Sequence, residues 1–251
     1  KLVVHGLKHS QVPTPAFNMH DHFQLAGALQ VSASLRAQTS VEVGSFAGHT
    51  ALFSAAIYDA LHKSTNEKFK VHVVDPGHFG LQHNVEQSPL RDKIVMHLKT
   101  SANMYGWNTP LRFFFEDSQH NYAVTNTSFS IFEHHLALGG VLVLHDVGCC
   151  KGSYPGLVKF VQERVYSNPI YKELKFEVPD TWDGIDMGTS TLLKSYLNAS
   201  LDMRPSYRAK MISAYNIIGG CNEICKRRGC LLEKGYQWSW CPNTRVFQRV
   251  K

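Results

Sequence analysis

Short apolar runs alternate with helix-like segments along much of the chain. Four runs have the length and the glycine, proline or acidic boundaries of buried strands: "SVEVG" at 40–44, "KVHVVDPG" at 70–77, "LRFFFED" at 111–117 and "GGVLVLHDV" at 139–147. Between them, "HTALFSAAIYDALHK" at 49–63 and "NYAVTNTSFSIFEHHLAL" at 121–138 are helix candidates. This alternation predicts a doubly wound α/β fold, in which a mostly parallel sheet carries helices on both faces.

Two further strand candidates follow these elements. "YKELKFEVPD" at 171–180 and "GIDMGTSTLLKS" at 184–195 are separated by a turn, which predicts an antiparallel hairpin at one edge of the sheet. We therefore expect three parts: an N-terminal helical or lid segment at 1–37, the α/β domain at 38–200, and a small cysteine-rich module at 201–251.

Composition and charge narrow the class of protein. The chain has 251 residues, of which 43% are hydrophobic, enough for one substantial core and a small appendage. The formal net charge is +6, but the basic residues are scattered, so we expect a solvated surface and no nucleic-acid partner. No run of about 18 apolar residues is present, so no membrane-spanning helix is expected.

Cysteines suggest a compartment. Four of them crowd into the C-terminal part: Cys221, Cys225, Cys230 and Cys241. No C-x-x-C pair and no histidine lies among them, which disfavours structural zinc and favours disulfides. Together with the glycosylation sequons at Asn126 and Asn198, the cysteines predict a protein of the secretory pathway or a secreted one, or a cytoplasmic one if the thiols are reduced.

Polar residues and glycines recur where the predicted strands end. In chain order they are Glu42, Gly44, Gly48, Asp75, Asp117, His120, His145 and Asp146. The carboxyl ends of parallel strands meet at one rim, and ligands of doubly wound sheets bind there. The sequence therefore predicts that these residues line a common site.

The first of these turns indicates the type of ligand. A dinucleotide site uses G-x-G-x-x-G, whereas Glu42, Gly44 and Gly48 form E-x-G-x-x-x-G, so we expect no pyrophosphate. An acid before the turn suits an ammonium group, and Asp75 at the end of the next strand suits a ribose diol. A nucleoside that carries an amino acid satisfies both.

Three stretches resemble a known family. "VEVGSFAGHTALFSAA" and "VHVVD" are similar to the first two motifs of class I S-adenosylmethionine-dependent methyltransferases. "FFFEDSQHNYAVTNTSFSIFEHHLALGGVLVLHDV" is similar to the branch with macrolide-sugar O-methyltransferases and cephalosporin-hydroxylase-like proteins. The resemblance covers roughly residues 38–195 and implies a Rossmann-like fold. Gln119 stands where many relatives carry a second acid, which puts a fully acidic metal site in doubt.

The resemblance also implies a role for each matched residue. Glu42 and Gly44 would line the methionine part of the cofactor, Asp75 would bind the ribose, and Asp117 would lie over the reacting end. The full set implied for S-adenosylmethionine is Glu42, Gly44, Ser45, Gly48, Asp75, Ser101 and Asp117, with Ala102 as an alternative to Ser101 near the adenine.

Methyl transfer to a hydroxyl also needs a way to remove a proton. His120, His145 and Asp146 are the candidate catalytic groups. Alternatively, Asp117, His145 and Asp146 hold Mg²⁺ or Mn²⁺, although magnesium prefers oxygen ligands. The sequence leaves both versions open.

The predicted function is O-methylation of a hydroxyl on a glycan or small-molecule acceptor. The tail "CNEICKRRGC" is similar to modules of Golgi-lumen glycan-processing enzymes, which favours a saccharide. The alternatives are a secreted, non-catalytic carbohydrate- or ligand-binding protein that keeps the fold, and a hydroxylase. "NMHDHF", with His20, Asp21 and His22, is interpreted as a helix or lid segment in preference to a metal site.

Overall fold

The chain forms a seven-stranded mixed sheet covered by helices on both faces. The computed structural model describes residues 2–10, 19–63, 67–77, 79–147, 154–176 and 244–251. The strands are Thr39–Val43 (β1), Lys70–Val74 (β2), Ile94–His97 (β3), Leu111–Glu116 (β4), Leu136–Leu144 (β5), Tyr171–Leu174 (β6) and Arg245–Arg249 (β7). Their order in the sheet is β3-β2-β1-β4-β5-β7-β6.

Helices connect most of these strands. They are Leu2–His9 (α1), Met19–Ala33 (α2), His49–His62 (α3), Leu81–Glu86 (α4), Tyr122–Phe132 (α5) and Pro155–Phe160 (α6), which continues as a π-helical turn over Val161–Tyr166. Short 3₁₀ turns lie at Arg91–Lys93, Ser101–Met104 and Glu133–His135. The expected doubly wound, mostly parallel sheet is confirmed.

The parallel strands end level with one another. Val43 of β1 pairs with Val74 of β2 and with Glu116 of β4, and Glu116 pairs in turn with Leu144 of β5. The residue after each of these four strand ends therefore lies on one rim of the sheet. This register explains why side chains far apart in sequence meet there.

Alternating strand residues divide the core between the two faces. Phe113 and Phe115 pack with α1, α2, α3 and α4 on one face, and Phe114 packs with α5 and α6 on the other. All three phenylalanines are buried, as expected of a strand covered on both sides.

The N-terminal helices α1 and α2 both contribute side chains to the core. Leu25 and Leu29 of α2 are fully buried in the cluster that includes α3 and the sheet. At the C-terminal end of α2, the buried guanidinium of Arg112 in β4 donates to the carbonyl oxygen of Ala33 at 3.5 Å and, beyond the helix, to that of Ala37. These contacts and the two buried leucines fix α2 against the sheet.

The antiparallel edge differs from the expected local hairpin. The strand predicted at 171–180 forms β6, but its partner is β7, which lies between β5 and β6. The other predicted strand, at 184–195, lies outside the described residues. The expected boundary at residue 200 also needs correction, because 245–249 lies in the sheet; residues 201–243, with the four C-terminal cysteines, lie outside the described part.

Strand β3 was also missed by the sequence analysis. It has four residues, Ile94–His97, of which only Ile94 is buried, so its apolar signal is short and weak. Strand β5 begins at Leu136, within the stretch that was predicted to be helical. There the helical pattern gives way to a 3₁₀ turn at Glu133–His135 before the strand starts.

The structure bears on two expectations from the sequence, the glycosylation sequons and the lack of a membrane-spanning helix. Glycosylated sequons of secreted proteins lie in surface loops, but Asn126 lies within α5, and the sequon's Ser128 is buried and donates to Glu116. The structure thus gives no support to a glycan at Asn126, and Asn198 lies outside the described residues. Among the described helices, none is both long and apolar enough to cross a bilayer.

Candidate active site at the carboxyl rim of the sheet

A cavity of about 430 Å³ opens at the rim where β1, β2, β4 and β5 end. This volume lies within the range of about 300–1,000 Å³ that is typical of small-molecule sites. The predicted site residues that line it are Gly44, Ser45, Asp75, Ser101, Asp117, His120, His145 and Asp146. Most of the rim predicted from the sequence thus lines one cavity, whereas Glu42 and Gly48 are not among its lining residues.

The turn between β1 and α3 is shaped by its two glycines. Gly44 has φ +81°, and a Cβ there would overlap the carbonyl oxygen of Asp117. Gly48 has φ +91° at the start of α3, and its Cβ would lie 3.0 Å from Leu81. Gly44 therefore lets the β4 loop approach, and Gly48 lets α4 pack close.

Asp75 organises this turn. Its Oδ2 accepts hydrogen bonds from the backbone N–H groups of Ser45 (2.9 Å) and Phe46 (3.0 Å), and its Oδ1 accepts one from Gly77 (2.7 Å). Asp75 lines the cavity, so the ribose contact stays a prediction. The structure adds a second role, because the same carboxylate holds the turn in place.

Glu42 lies behind the cavity wall. It is buried and is not among the residues that line the cavity, and its Oε1 accepts a hydrogen bond from the Thr50 hydroxyl. Burial raises the pKa of Glu42 to about 8, against the hydrogen bonds that favour its charged form. A carboxyl that is mostly neutral at pH 7 is a poor partner for an ammonium group, so the expected contact with the methionine part gains no support.

Asp117, His120 and Asp146 form a compact cluster at one end of the cavity. His120 Nε2 lies 3.0 Å from Asp117 Oδ1 and 3.2 Å from Asp146 Oδ2. One ligand atom from each of the three residues lies within 4.8 Å of the others. Burial alone would lower the pKa of His120, but the hydrogen bond and charge of Asp117 and the charge of Asp146 outweigh it and raise the pKa.

The backbone of this cluster is strained. His120 has φ +52° and Asp146 has φ +57°, a region that non-glycine residues seldom adopt. Such strain, of order 1–3 kcal/mol per residue, persists where the surrounding structure enforces it and is concentrated at functional sites. Both residues are thereby turned toward the same cavity.

His145 lies deeper than the cluster, between carboxylates on opposite sides. Its Nδ1 is 3.0 Å from Asp117 Oδ1, its Nε2 is 3.6 Å from Asp21 Oδ2, and its side chain is only 1% exposed. Burial opposes its positive charge, but Asp117, Asp21 and Asp146 raise its pKa well above the usual value. Burial disfavours the negative charge of Asp117 and would raise its pKa, but the neighbouring His145 and His120 outweigh burial and lower the pKa.

This arrangement changes the expected metal set. The sequence grouped Asp117, His145 and Asp146, and His145 Nδ1 does lie 3.0 Å from Asp117 and 3.7 Å from Asp146. The group with ligand atoms placed for a metal, however, combines Asp117 and Asp146 with His120. A positively charged imidazole has no lone pair for a metal, so His145 suits the role of a buried cation. His120 is the histidine that fits both the base and the ligand role.

Several residues around the site were not found from the sequence. Asp21 reaches His145 from α2, and the Tyr154 ring lies 4.6 Å from the His120 ring. At the mouth of the cavity, Phe46 and Phe79 stack at 4.1 Å although they are 47% and 58% exposed. In the sequence, the polar residues around Asp21 in "NMHDHF" were a hint of a functional segment, and Asp21 lies in α2. No sequence pattern pointed to the aromatic residues.

The residues present fit a nucleoside ligand with a polar tail. The cavity is bounded by apolar groups such as Val74, Pro76 and Phe79, while Asp75 and Ser101 supply hydrogen-bonding groups among them. This combination of an apolar slot with a few placed polar groups is typical of cofactor sites.

Comparison with known proteins agrees with this geometry. Residues 41–147, less than half of the chain, match a family described as a methyltransferase domain. Similar solved structures include an O-methyltransferase from Bacillus cereus in complex with S-adenosylhomocysteine (15% identity; 70% of this chain and 82% of that chain; TM-score 0.50). Another is a methyltransferase of Podospora anserina bound to S-adenosylhomocysteine (12% identity; 71% of this chain and 84% of that chain; TM-score 0.52).

A third is a TDP-rhamnose 3′-O-methyltransferase of calicheamicin biosynthesis (12% identity; 71% of this chain and 88% of that chain; TM-score 0.50). At these identities the similarity establishes a shared fold. Residues 41–147 are therefore similar to a methyltransferase domain, and the chain shares the Rossmann-like, mostly parallel fold of these structures.

Proposed function

We propose that the protein is an S-adenosylmethionine-dependent O-methyltransferase that acts on a hydroxyl of a glycan or a small molecule. The observation that carries the proposal is the cavity at the sheet rim. It combines the turn held by Asp75 with the cluster of Asp117, His120 and Asp146. One part of this cavity suits the cofactor, and the cluster suits proton removal.

The cofactor would be held mainly by the β1–α3 turn and the residues after β2. The close-packed backbone at Gly44 and Ser45 would lie along its amino-acid part, and Asp75 would accept hydrogen bonds from its ribose hydroxyls. Ser101, at the start of a 3₁₀ turn beside the cavity, would cover the adenine. When bound, S-adenosylmethionine supplies a methyl group on a sulfonium, which is already activated for transfer.

His120 would handle the proton of the acceptor hydroxyl. Its Nε2 faces Asp117 and Asp146, so in the neutral ring Nε2 carries the hydrogen and Nδ1 holds the lone pair. The two carboxylates make the imidazole more basic, which favours acceptance of a proton. Asp117 and Asp146 then stabilise the imidazolium that results.

The same three side chains also suit a divalent cation. Two carboxylates with one imidazole fit Mn²⁺ better than Mg²⁺, because magnesium prefers oxygen ligands and manganese accepts nitrogen as well. A bound cation would lower the cost of forming the alkoxide of the acceptor. Asp117, His120 and Asp146 would be its ligands.

A saccharide acceptor is proposed because the C-terminal stretch "CNEICKRRGC" is similar to modules of glycan-processing enzymes and because a sugar O-methyltransferase is among the similar structures. One similar structure is a sugar O-methyltransferase by its description, although its identity to this chain is only 12%. The acceptor class is therefore to be decided by a screen of saccharides and other hydroxyl compounds.

Calorimetry with S-adenosylmethionine and S-adenosylhomocysteine, with and without Mn²⁺, tests the cofactor. A screen with methyl-labelled cofactor then tests transfer. Binding with transfer to a hydroxyl, lost with a chelator and restored by Mn²⁺, supports the cation version; chelator-insensitive transfer supports His120 alone. Binding of a saccharide with no cofactor binding would instead favour the non-catalytic alternative.

A further inference from the structure

Asp21 is a buried carboxylate that lies outside the stretch matched to the methyltransferase domain. It belongs to α2 and is fully buried, while the match covers 41–147. Its Oδ1 accepts a hydrogen bond of 2.7 Å from the hydroxyl of Thr244, which directly precedes β7. Two segments that flank the matched domain thus meet at this carboxylate.

The other oxygen of Asp21 faces the candidate active site. Oδ2 lies 3.6 Å from His145 Nε2, a distance longer than a direct hydrogen bond, so the contact is mainly electrostatic. On the opposite side of the same ring, His145 Nδ1 lies 3.0 Å from Asp117 Oδ1. The imidazole is therefore held between two carboxylates.

The chain of contacts continues into the cluster. The same Oδ1 atom of Asp117 lies 3.0 Å from His120 Nε2, which lies 3.2 Å from Asp146 Oδ2. The orientation of His145 thus affects the Asp117 oxygen that His120 contacts. Any rotation of the His145 ring would change that oxygen's partners.

Turning the buried imidazole over about its Cβ–Cγ bond would exchange Nδ1 with Cδ2 and Nε2 with Cε1, so both carboxylates would face carbon atoms. Asp21 at Nε2 adds to the restraint that Asp117 exerts at Nδ1, in the way that outer carboxylates orient histidines in other sites. Thr244 in turn fixes the Asp21 side chain. The arrangement therefore needs one residue from each flanking segment.

We infer that Asp21 is a positioning residue: acting through His145, it holds Asp117 in the orientation that His120 requires. Its effect on turnover rests on the function proposed above, whereas its effect on the two histidine rings does not. The inference also means that the matched domain lacks a complete site without α2 and the residue before β7.

The test compares Asp21→Asn with Ser32→Ala in the full chain. Ser32 is a matched control because it is also buried and polar and lies on α2, but its hydroxyl contacts Tyr58, away from the cavity. Imidazole nitrogen shifts are measured by NMR with labelled histidine at one fixed pH. His145→Gln and His120→Gln assign the two signals.

Asp21→Asn should change the nitrogen shifts of both His145 and His120, while Ser32→Ala leaves both at their wild-type values. Thr244→Val keeps the carboxylate but removes its hydrogen bond, and it should produce a smaller change at the same two rings. This milder variant decides the question if Asp21→Asn fails to fold. Unchanged shifts at both rings in the folded variants would overturn the inference.

Kinetics provide a second readout once an acceptor is known. Asp21→Asn should lower kcat by about 10- to 100-fold, the usual effect of losing such an outer partner, and leave the Kd for S-adenosylhomocysteine within about twofold. An equal loss of kcat in Ser32→Ala would contradict a positioning role. If wild type transfers no methyl group, the proposed function fails, and the NMR result still decides the role of Asp21.

Discussion

At the residue scale, His120 is the side chain on which the proposed chemistry depends most. His120→Ala should lower kcat by roughly 10²- to 10⁴-fold, the usual span for a general base, with little change in the Kd for S-adenosylhomocysteine. His134→Ala is the control, because that ring is exposed and does not line the cavity. Full turnover of His120→Ala in the presence of a chelator would contradict both the base and the cation roles.

Asp75 is the second residue whose contacts make a sharp prediction. Asp75→Ala should weaken S-adenosylhomocysteine binding by about 1.5–3 kcal/mol, the range for hydrogen bonds to a charged group, as measured by calorimetry. The loss of the acceptor for Ser45, Phe46 and Gly77 adds to the effect by loosening the turn. Asp92→Ala removes an exposed carboxylate and should leave the affinity unchanged.

At the scale of elements, the buried acid Glu42 in β1 makes the stability of the folded protein depend on pH. Burial raises the folded-state pKa of Glu42 to about 8, above its unfolded value near 4.5. The unfolded chain therefore loses this proton first, and stability falls as pH rises from about 4.5 to 8. Glu42→Gln removes the titration and keeps an acceptor for Thr50.

Urea denaturation at about pH 5 and about pH 8 measures this contribution. The free energy of unfolding of wild type should fall more between the two pH values than that of Glu42→Gln, by on the order of a few kcal/mol. The comparison of the two proteins cancels other titrating groups. Parallel pH dependences of the two would show that Glu42 keeps an ordinary pKa in the folded protein.

At the scale of the whole molecule, the chain between β6 and β7 carries four of the six cysteines. We expect Cys221, Cys225, Cys230 and Cys241 to be bridged, because their spacing disfavours zinc. Mass spectrometry without reductant should find no free thiol among them, and the same preparation after reduction should show all four. Four free thiols or one bound zinc would remove the basis for proposing a secretory-pathway location.

The parallel strands and many of the residues at their carboxyl ends could be predicted, because they depend on local patterns in the sequence. The runs around Val41, Val73 and Phe114 are apolar and short, so they indicate buried strands whatever surrounds them. The short strand β3 and the start of β5 at Leu136 were not predicted from the pattern, because both depend on the neighbouring strands that pair with them.

The sequence by itself determined the parallel core, the glycine turn at Gly44 and the polar rim that includes Asp75 and Asp117. These follow from hydrophobic period, from backbone conformations open to glycine, and from the rule that parallel strands end together. Tertiary structure alone decided which rim side chains touch, with His120 in contact with both Asp117 and Asp146, that β7 inserts between β5 and β6, and that Asp21 meets a threonine 223 positions away. Local propensity carries no information about such distant pairings; they are selected by how the packed helices and strands bring side chains together.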